Sequence, residues 1–423
     1  MLSESPSPAG KEQMNTHRLS KFANVRGLLD MQMLYRSLPS PLQKMVDPVK
    51  AFVKLLRAMR VSVWIVRGHE LKSQIPLTLA YFGNTAETRK YWSRLVFGPS
   101  FEESNSRALW LWQAAHRLRK GGFKYDLALM ETPYSWRAFA GEGGVFVANW
   151  VSGWVNIAPE DMAALSKNSS LRSDLRVIKR GGLSYEVTKD PRAFDDFYYH
   201  MYVPHISKTH GDTAVVMRYG PKRKDFEKCE LLVVRRGDES ISGVLLAYSD
   251  DGPRLWSLGI RDGDSGLMRD GGTAALFYFG CQYLSEKGFK KVHMGFSRPF
   301  MRDGVLRFKK KWGIRLTDSD PVGVVLQANF TSAGVRAFLL NNPFIYVEHG
   351  SLKGAVFLEK LPEPKNESLT SLLKDYEFAG LAGMAIGDFD AWEHSRSVDF
   401  PKDLGGRIER FNFASLFCDV KDA

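Results

Sequence analysis

One order of predicted elements constrains the fold of this chain more than any other feature. Residues 231–236 and 241–249 are predicted to be two strands joined by a Gly-Asp turn, and 254–260 a third strand. A long helix over 271–287 and a further strand over 291–297 follow. A tight hairpin joins antiparallel strands, whereas a helical crossover joins parallel ones. The segment therefore predicts an α/β fold with a mixed sheet (α+β in character), antiparallel first and parallel at the crossover.

The rest of the chain divides into segments of different composition. Residues 1–20 are rich in Ser and Pro and are predicted to form a disordered tail. Residues 21–182 are predicted to form an N-terminal α/β lobe, and 183–362 a second lobe. A polar, Pro-containing stretch follows Leu361, so 363–423 are predicted to be a linker and an irregular, acidic C-terminal tail.

The N-terminal lobe has its own strand–helix–strand order. Strands are predicted at Val61–Val66, Ile75–Phe82 and Tyr125–Met130, with a helix at Ser106–Arg119. The Gly- and Trp-rich stretch Ala138–Val155 follows, and it contains no catalytic motif that we recognise. This lobe therefore supplies architecture in our interpretation, and the chemistry is expected in the second lobe.

Net charge bears on the partners of the chain. The formal charge of +12 favours a polyanion such as a nucleotide-like donor, an acidic carrier protein, RNA or an anionic lipid surface, although solubility alone explains it equally well. Residues 39–60 form a basic amphipathic pattern, which more often packs on its own domain than lies on a membrane. The first residues lack the apolar run of a secretory signal. The sequence thus predicts a cytoplasmic protein, with peripheral contact at the inner face of the membrane through 39–60 as the alternative.

The cysteines argue against a metal or disulfide framework. Cys229, Cys281 and Cys418 lie far apart, and no CxxC motif occurs. We therefore expect three ordinary thiols and no metal site.

The turn before the crossover helix is the first candidate binding site. Gly271 and Gly272 allow the backbone to approach a ligand closely, and the helix that begins there has free amide donors at its positive end. Both properties favour a phosphate group, and Arg269 could add a charge contact. The same Asp-Gly-Gly-Thr sequence is also an ordinary helix start, with Thr273 in the first turn.

Polar side chains on the strand at 291–297 and on an aromatic helix at 191–210 are candidates for chemistry. His293 and Ser297 share one side of the strand with Gly295, which leaves room for a ligand near the backbone. Pro204 is expected to kink or end the helix near its middle, next to side chains that could line an acceptor pocket. Structural packing explains a single strand histidine and these aromatic residues as well.

Two clusters of basic residues could steer an acidic carrier or RNA, and solvated helix faces explain the second nearly as well. The clusters are Lys222, Arg223, Lys224 and Lys228, and Arg307, Lys309, Lys310 and Lys311.

The most specific motif lies between Ser297 and Gly313. The strand leads into Ser-Arg-Pro, then Asp-Gly-Val-Leu, then Phe-Lys-x-x-Trp-Gly from Phe308 to Gly313. This order resembles the terminal part of GNAT-fold acyltransferases of the FemAB and BioF2-like type. The resemblance covers about 183–330, and it marks a superfamily rather than a substrate.

The resemblance implies a GNAT-like fold with two tandem lobes, of which the first is degenerate and binds no donor. It implies that a pantetheine-like arm lies between strands 254–260 and 291–297, that Ser257 and Gly259 lie where donor and strand meet, and that the donor phosphates lie at 269–273. The family has no invariant general base. The candidates for proton handling or for the acceptor pocket are Ser297, His293, His205 and Tyr202.

Three functions remain open at this stage. The first is N-acyl transfer from the phosphopantetheine thioester of acyl-CoA or of an acyl carrier protein to a small amine or amino acid. The second is aminoacyl-tRNA-dependent transfer of the FemX-like type, with the basic surface on tRNA. The third is a non-enzymatic basic adaptor that binds membrane or nucleic acid.

Overall fold

The structure is a computed structural model, and the residues that it describes are 59–106, 108–119, 125–140, 144–211, 216–361, 374–394, 408–411 and 413. The predicted tail at 1–20 and all but the last two residues of the predicted helix at 39–60 lie outside them. From Val61 onward the chain forms one compact unit. No helix in these described ranges has the length and apolar character needed to cross a membrane.

The strands of the described residues, in chain order, are β1 Arg60–Val61, β2 Val63–His69, β3 Pro76–Phe82, β4 Phe101–Asn105, β5 Leu109–Trp110, β6 Leu127–Pro133, β7 Val145–Ala148, β8 Val151–Asn156, β9 Leu183–Thr188, β10 Cys229–Arg236, β11 Glu239–Ser249, β12 Gly252–Ile260, β13 Lys291–Ser297, β14 Arg315–Ser319, β15 Val322–Ala328, β16 Phe344–Glu348, β17 Ser351–Leu358, β18 Gly383–Asp388 and β19 Ile408–Arg410.

The α-helices are α1 Ala86–Phe97, α2 Leu111–Arg119, α3 Pro159–Lys167, α4 Ser169–Arg180, α5 Pro191–Asp196, α6 Val203–His210, α7 Tyr219–Phe226, α8 Ser265–Arg269, α9 Gly272–Glu286, α10 Gly304–Lys311, α11 Ala333–Asn341 and α12 Phe389–Glu393. A π-helical turn at Phe197–Tyr202 joins α5 to α6, and 3₁₀ turns lie at Tyr134–Ala140 and Arg261–Gly263.

Two large mixed sheets organise these elements, which confirms the predicted α/β fold class. One has seven strands in the order β14-β8-β13-β12-β11-β10-β9, and the other has ten in the order β19-β18-β17-β16-β7-β15-β6-β3-β2-β4. Strands β9 to β12 pair antiparallel, and β12 and β13 pair parallel across the helix α9. The hairpin and the crossover that the sequence predicts are both present.

The two sheets repeat one plan, and they exchange a strand. In each sheet an antiparallel pair leads into a parallel crossover, β2–β3 to β6 in one and β11–β12 to β13 in the other. Strand β15 inserts between β6 and β7, whereas β8 inserts between β13 and β14. Each sheet is therefore completed by a strand from the other half of the chain.

This exchange bears on the predicted domain limits. The strands do not divide at residue 182, because β8 pairs in the sheet of the second half and β15 to β17 pair in the sheet of the first. The limits of the two predicted lobes remain a prediction, and strand pairing places residues from both halves of the chain in each sheet. The segment 363–423 is not wholly irregular, since β18 and β19 extend the ten-stranded sheet.

Alternation along the strands gives the seven-stranded sheet two packed faces. On β10, Leu232 and Val234 belong to the large core that includes α9, while Leu231 and Val233 belong to a second core with the aromatic residues of α5 and the π turn. Because successive side chains of a strand point to opposite faces, α9 lies on one face and the π turn lies on the other.

Candidate active site

The parallel pair β12–β13 opens almost as soon as it forms. The two strands share a single registered pair, Arg254 with His293, before they separate toward their carboxyl ends. Ligands of open α/β sheets bind beyond the carboxyl ends of the strands, where neighbouring strands diverge. The gap between β12 and β13 is therefore the candidate site.

Side chains bind the irregular part of β13, where its pairing with β8 also shifts register. Gly295 has φ of +70°, a conformation that favours glycine, and its N–H donates to Nδ1 of His293 at 3.1 Å. The carbonyl of Phe296 accepts a hydrogen bond from Nζ of Lys309 at 2.8 Å. Buried backbone groups need partners, so these side chains stabilise the separation of the strands.

Lys309 places a buried nitrogen at the point of separation. Its Nζ also donates to Oγ of Ser297 at 2.9 Å, and a Cβ built on Gly295 would lie 3.9 Å from it. The residue is 3% exposed, and this burial lowers the pKa of Lys309 to about 7 against the opposing attraction of Asp303. Lys309 therefore exchanges between ammonium and amine near neutral pH.

A β-bulge shapes the other side of the gap. The register of β11 and β12 shifts so that Ser257 is an extra residue, and its φ of +57° is rare for a residue other than glycine. Nζ of Lys222 donates to Oγ of Ser257 at 2.6 Å. Lys222 is fully buried, and this burial lowers its pKa to about 8. A second serine–lysine pair thus lies on the strand opposite the first.

Two aromatic rings enclose Lys222. Its Nζ lies 4.1 Å from the ring centroid of Tyr202 and 4.4 Å from that of Trp256. The π turn that carries Tyr202 rests on Gly259, where a Cβ would lie 2.5 Å from the backbone of Met201. Only glycine at position 259 allows this approach, because backbone atoms cannot yield as a flexible side chain can.

The structure groups four of the predicted site residues into these two clusters. Tyr202 and Ser257 lie with Lys222, whereas His293 and Ser297 lie with Lys309. Their roles in catalysis stay predictions.

The two predicted histidines are both buried. Burial lowers the pKa of His293 to about 4, with Arg254 and Lys309 adding to the effect, so the ring is neutral at pH 7. Its contact with Gly295 gives it a structural role as well. His205 is buried on α6, and its proposed part in the acceptor pocket stays a prediction.

Pro204 does not end the aromatic helix as predicted. The helical path continues from α5 through the π turn into α6, and Pro204 occupies the first turn of α6. The missing N–H of Pro204 falls directly after the π turn, where the i→i−4 ladder is already interrupted. The wider π turn replaces the expected kink.

The predicted phosphate-binding turn has a packing explanation. Gly271 has φ of +93°, and a Cβ there would lie 3.0 Å from Cγ1 of Val177 on α4. A Cβ on Gly272 would lie 2.9 Å from the carbonyl oxygen of Leu267. Helix packing alone therefore explains both glycines. Donor binding at 269–273, through exposed Arg269 and half-buried Thr273, stays a prediction.

Sequence reasoning missed the two lysines, which it placed in basic clusters that could steer an acidic carrier or RNA. The structure corrects this assignment, since Lys222 is 0% and Lys309 is 3% exposed. The spacing of the two lysines from apolar residues on their helices indicated that they are buried. Lys222 lies one turn before buried Phe226, and Lys309 lies three residues from both Leu306 and Trp312. Both lysines thus occupy the apolar faces of their helices.

Comparison with known proteins gives similarity at the level of solved structures. Neither a model of a known protein family nor a curated protein matches this sequence. The C-terminal domain of a putative lysylphosphatidylglycerol synthetase from Agrobacterium fabrum is 15% identical, with 64% of this chain and 82% of that chain covered and a TM-score of 0.33. L-PGS from Bacillus licheniformis is 14% identical (62% and 82% covered, TM-score 0.30), and FemX is 12% identical (60% and 81%, TM-score 0.33).

Proposed function

We propose that this protein transfers an acyl or aminoacyl group from an activated ester or thioester to an amine. The observation that carries the proposal is the gap between β12 and β13 with the buried nitrogen of Lys309 at its base. Separated strands offer backbone donors and acceptors to an extended donor arm. A buried cation beside them is suited to a carbonyl that becomes negatively charged during reaction.

The chemistry requires little covalent participation by the protein. The amine nitrogen attacks the carbonyl carbon, and negative charge develops on the carbonyl oxygen. Lys309 in its ammonium form stabilises this oxyanion, since electrostatic interactions are strong in a site that excludes water. The carbon–sulfur or carbon–oxygen bond then breaks, and the leaving group takes up a proton. Holding donor and amine together supplies much of the remaining acceleration.

Within this class we propose acyl-CoA or an acyl carrier protein as the donor, through its phosphopantetheine thioester, and a small amine or amino acid as the acceptor. An aminoacyl-tRNA donor is the alternative, and the net charge of +12 favours any of these polyanions. The basic adaptor without enzymatic activity is the third reading, and it predicts no turnover.

Donor class is decided by native mass spectrometry of the protein incubated separately with acetyl-CoA, an acylated carrier protein and an aminoacyl-tRNA. Retention of a thioester supports the proposed donor, and retention of tRNA alone supports the alternative. Retention of none of the three, together with no transfer to a panel of amines, would contradict the proposed function.

The role of Lys309 is tested by Lys309→Met. Loss of one preorganised oxyanion donor costs about 10²–10³-fold in kcat, and we expect a decrease of that size with donor retention preserved. Arg307→Met removes a positive charge from the exposed face of the same helix and is the matched control at saturating donor. Equal turnover of Lys309→Met and Arg307→Met would rule out the assigned role.

A further inference from the structure

We propose that Lys222 and Ser257 form a proton-transfer pair that deprotonates the acceptor amine, so that the two lysines of the site divide the chemistry between them. This inference rests on the proposed function and assigns the base that the transfer needs. In this assignment Ser257 contacts the amine, and Lys222 receives the proton through Ser257.

Three local irregularities converge on this pair. The bulge in β12 places Ser257 at φ of +57°, the π turn brings Tyr202 over Lys222, and Gly259 permits the contact between turn and strand. Backbone strain of this kind persists where the surrounding structure enforces it. Bulges and π turns both occur preferentially beside functional sites. The bulge, the π turn and the glycine contact therefore all lie in the surroundings of the Lys222 ammonium nitrogen.

Burial favours the neutral form of Lys222, against the opposing effect of Asp225 on its own helix. On β12 it meets Ser257 and Trp256, and on the π turn it meets Tyr202, so none of these three contacts is to a carboxylate. The charged group that acts on it is Asp225 of its own helix, and Cys229 at the start of β10 is the other titratable group. Burial raises the pKa of Cys229 to about 11, so that thiol stays protonated when Lys222 titrates.

The amine nitrogen loses two protons during the transfer. An alkylamine arrives as an ammonium ion and loses one proton to Oγ of Ser257 while the hydroxyl proton of Ser257 passes to the neutral amine of Lys222. The free amine attacks, the carbon–nitrogen bond forms, and the bond to the leaving group breaks. Nitrogen loses its second proton as the amide forms. One of the two protons ends on the leaving group, and the other is released to solvent as Lys222 returns to its neutral form.

Two amines that differ in protonation provide the test. Benzylamine is protonated at neutral pH and needs a base, whereas hydroxylamine is already unprotonated. With the donor that supports transfer, we expect Lys222→Met to lower transfer to benzylamine by about 10²–10⁴-fold, the usual range for general base catalysis. Transfer to hydroxylamine is expected to fall less than about threefold. Ser257→Gly, which removes the hydroxyl and suits the positive φ, should show the same selectivity.

Titration of the lysine provides a second test that needs no donor. In protein labelled with ¹³C-lysine, we expect a side-chain resonance that titrates near pH 8 and is absent in Lys222→Met. Lys224→Met, on the exposed part of the same helix, is the control that keeps it. Lys309→Met should likewise keep the resonance that titrates near pH 8. It should lose the resonance that titrates near pH 7.

The outcomes separate this inference from the proposed function. Equal losses with both amines, or a Lys222 resonance that stays protonated above pH 10, would overturn the proton-transfer role alone. Transfer from none of the donors would overturn the proposed function and this role with it.

Discussion

The two crossovers of the molecule have the same topology, but only one of them is open. In the ten-stranded sheet, β3 and β6 run parallel through four registered pairs, from Leu79 with Leu127 to Phe82 with Met130. In the seven-stranded sheet, β12 and β13 share one. A parallel crossover therefore does not by itself make a site. The chain must also supply other partners for the backbone groups that a ladder would satisfy.

The side chains at the two crossovers account for this difference. Leu79, Leu127 and Leu129 are fully buried and favour a closed pair of strands. On β13, Gly295 breaks the extended path, and His293 and Lys309 bind the backbone at Gly295 and Phe296. That the first lobe binds no donor stays a prediction. Loss of all transfer after damage to the second lobe alone would support it.

The largest effect is expected from closing the gap in the open crossover. Gly295→Ala places a Cβ 3.4 Å from the carbonyl oxygen of Leu255 and strains a residue with φ of +70°. Because a displacement of about 1 Å near reacting groups can cost about 10²-fold, we expect transfer to fall by at least that factor. Gly288→Ala is the control, with φ of +87° and open space around the new methyl group. Similar transfer rates in the two variants would show that the geometry at Gly295 is unimportant.

An intermediate effect is expected from a cavity in the closed crossover. Leu129 is fully buried on β6, the strand that pairs with β3 and β15. Leu129→Ala is expected to lower the free energy of unfolding by about 2–5 kcal/mol. Transfer per folded molecule should change little. Met294→Ala on β13 is the counterpart, since it is expected to reduce both stability and transfer. Denaturant unfolding and single-turnover rates distinguish the two, and loss of transfer in folded Leu129→Ala would mean that the lobes are functionally coupled.

The smallest effect is expected on the pH dependence of stability, through Lys309 beside the open crossover. The pKa of Lys309 is about 7 in the folded protein and about 10.4 in an unfolded chain. Between these values the unfolded state binds more protons, so stability rises with pH. We expect the free energy of unfolding to increase from pH 7 to pH 9 more in the wild type than in Lys309→Met. Parallel curves for the two proteins would mean that Lys309 keeps its proton when folded.

Local pattern was sufficient to predict much of the second lobe from the sequence. The strand at 291–297 was predicted with its observed bounds, and the hairpin of β10 and β11 and the helix α9 within two residues, because hydrophobic periodicity and a Gly-Asp turn are properties of neighbouring residues. The same approach missed α1, α3 and α4, and it left β7 and β8 inside a Gly- and Trp-rich stretch. Short strands that are buried on both faces carry no alternation by which to recognise them.

The sequence by itself determined the mixed α/β class, the order of hairpin and crossover, and the candidate roles of Ser257, Ser297 and Tyr202. Only the tertiary structure decided that β8 and β15 exchange between the sheets and that one crossover is open. It also decided that Lys222 and Lys309 are buried beside Ser257 and Ser297. The physical reason is that the pKa of a lysine and the pairing of a strand depend on residues distant in sequence, whose positions are fixed only when the sheets pack.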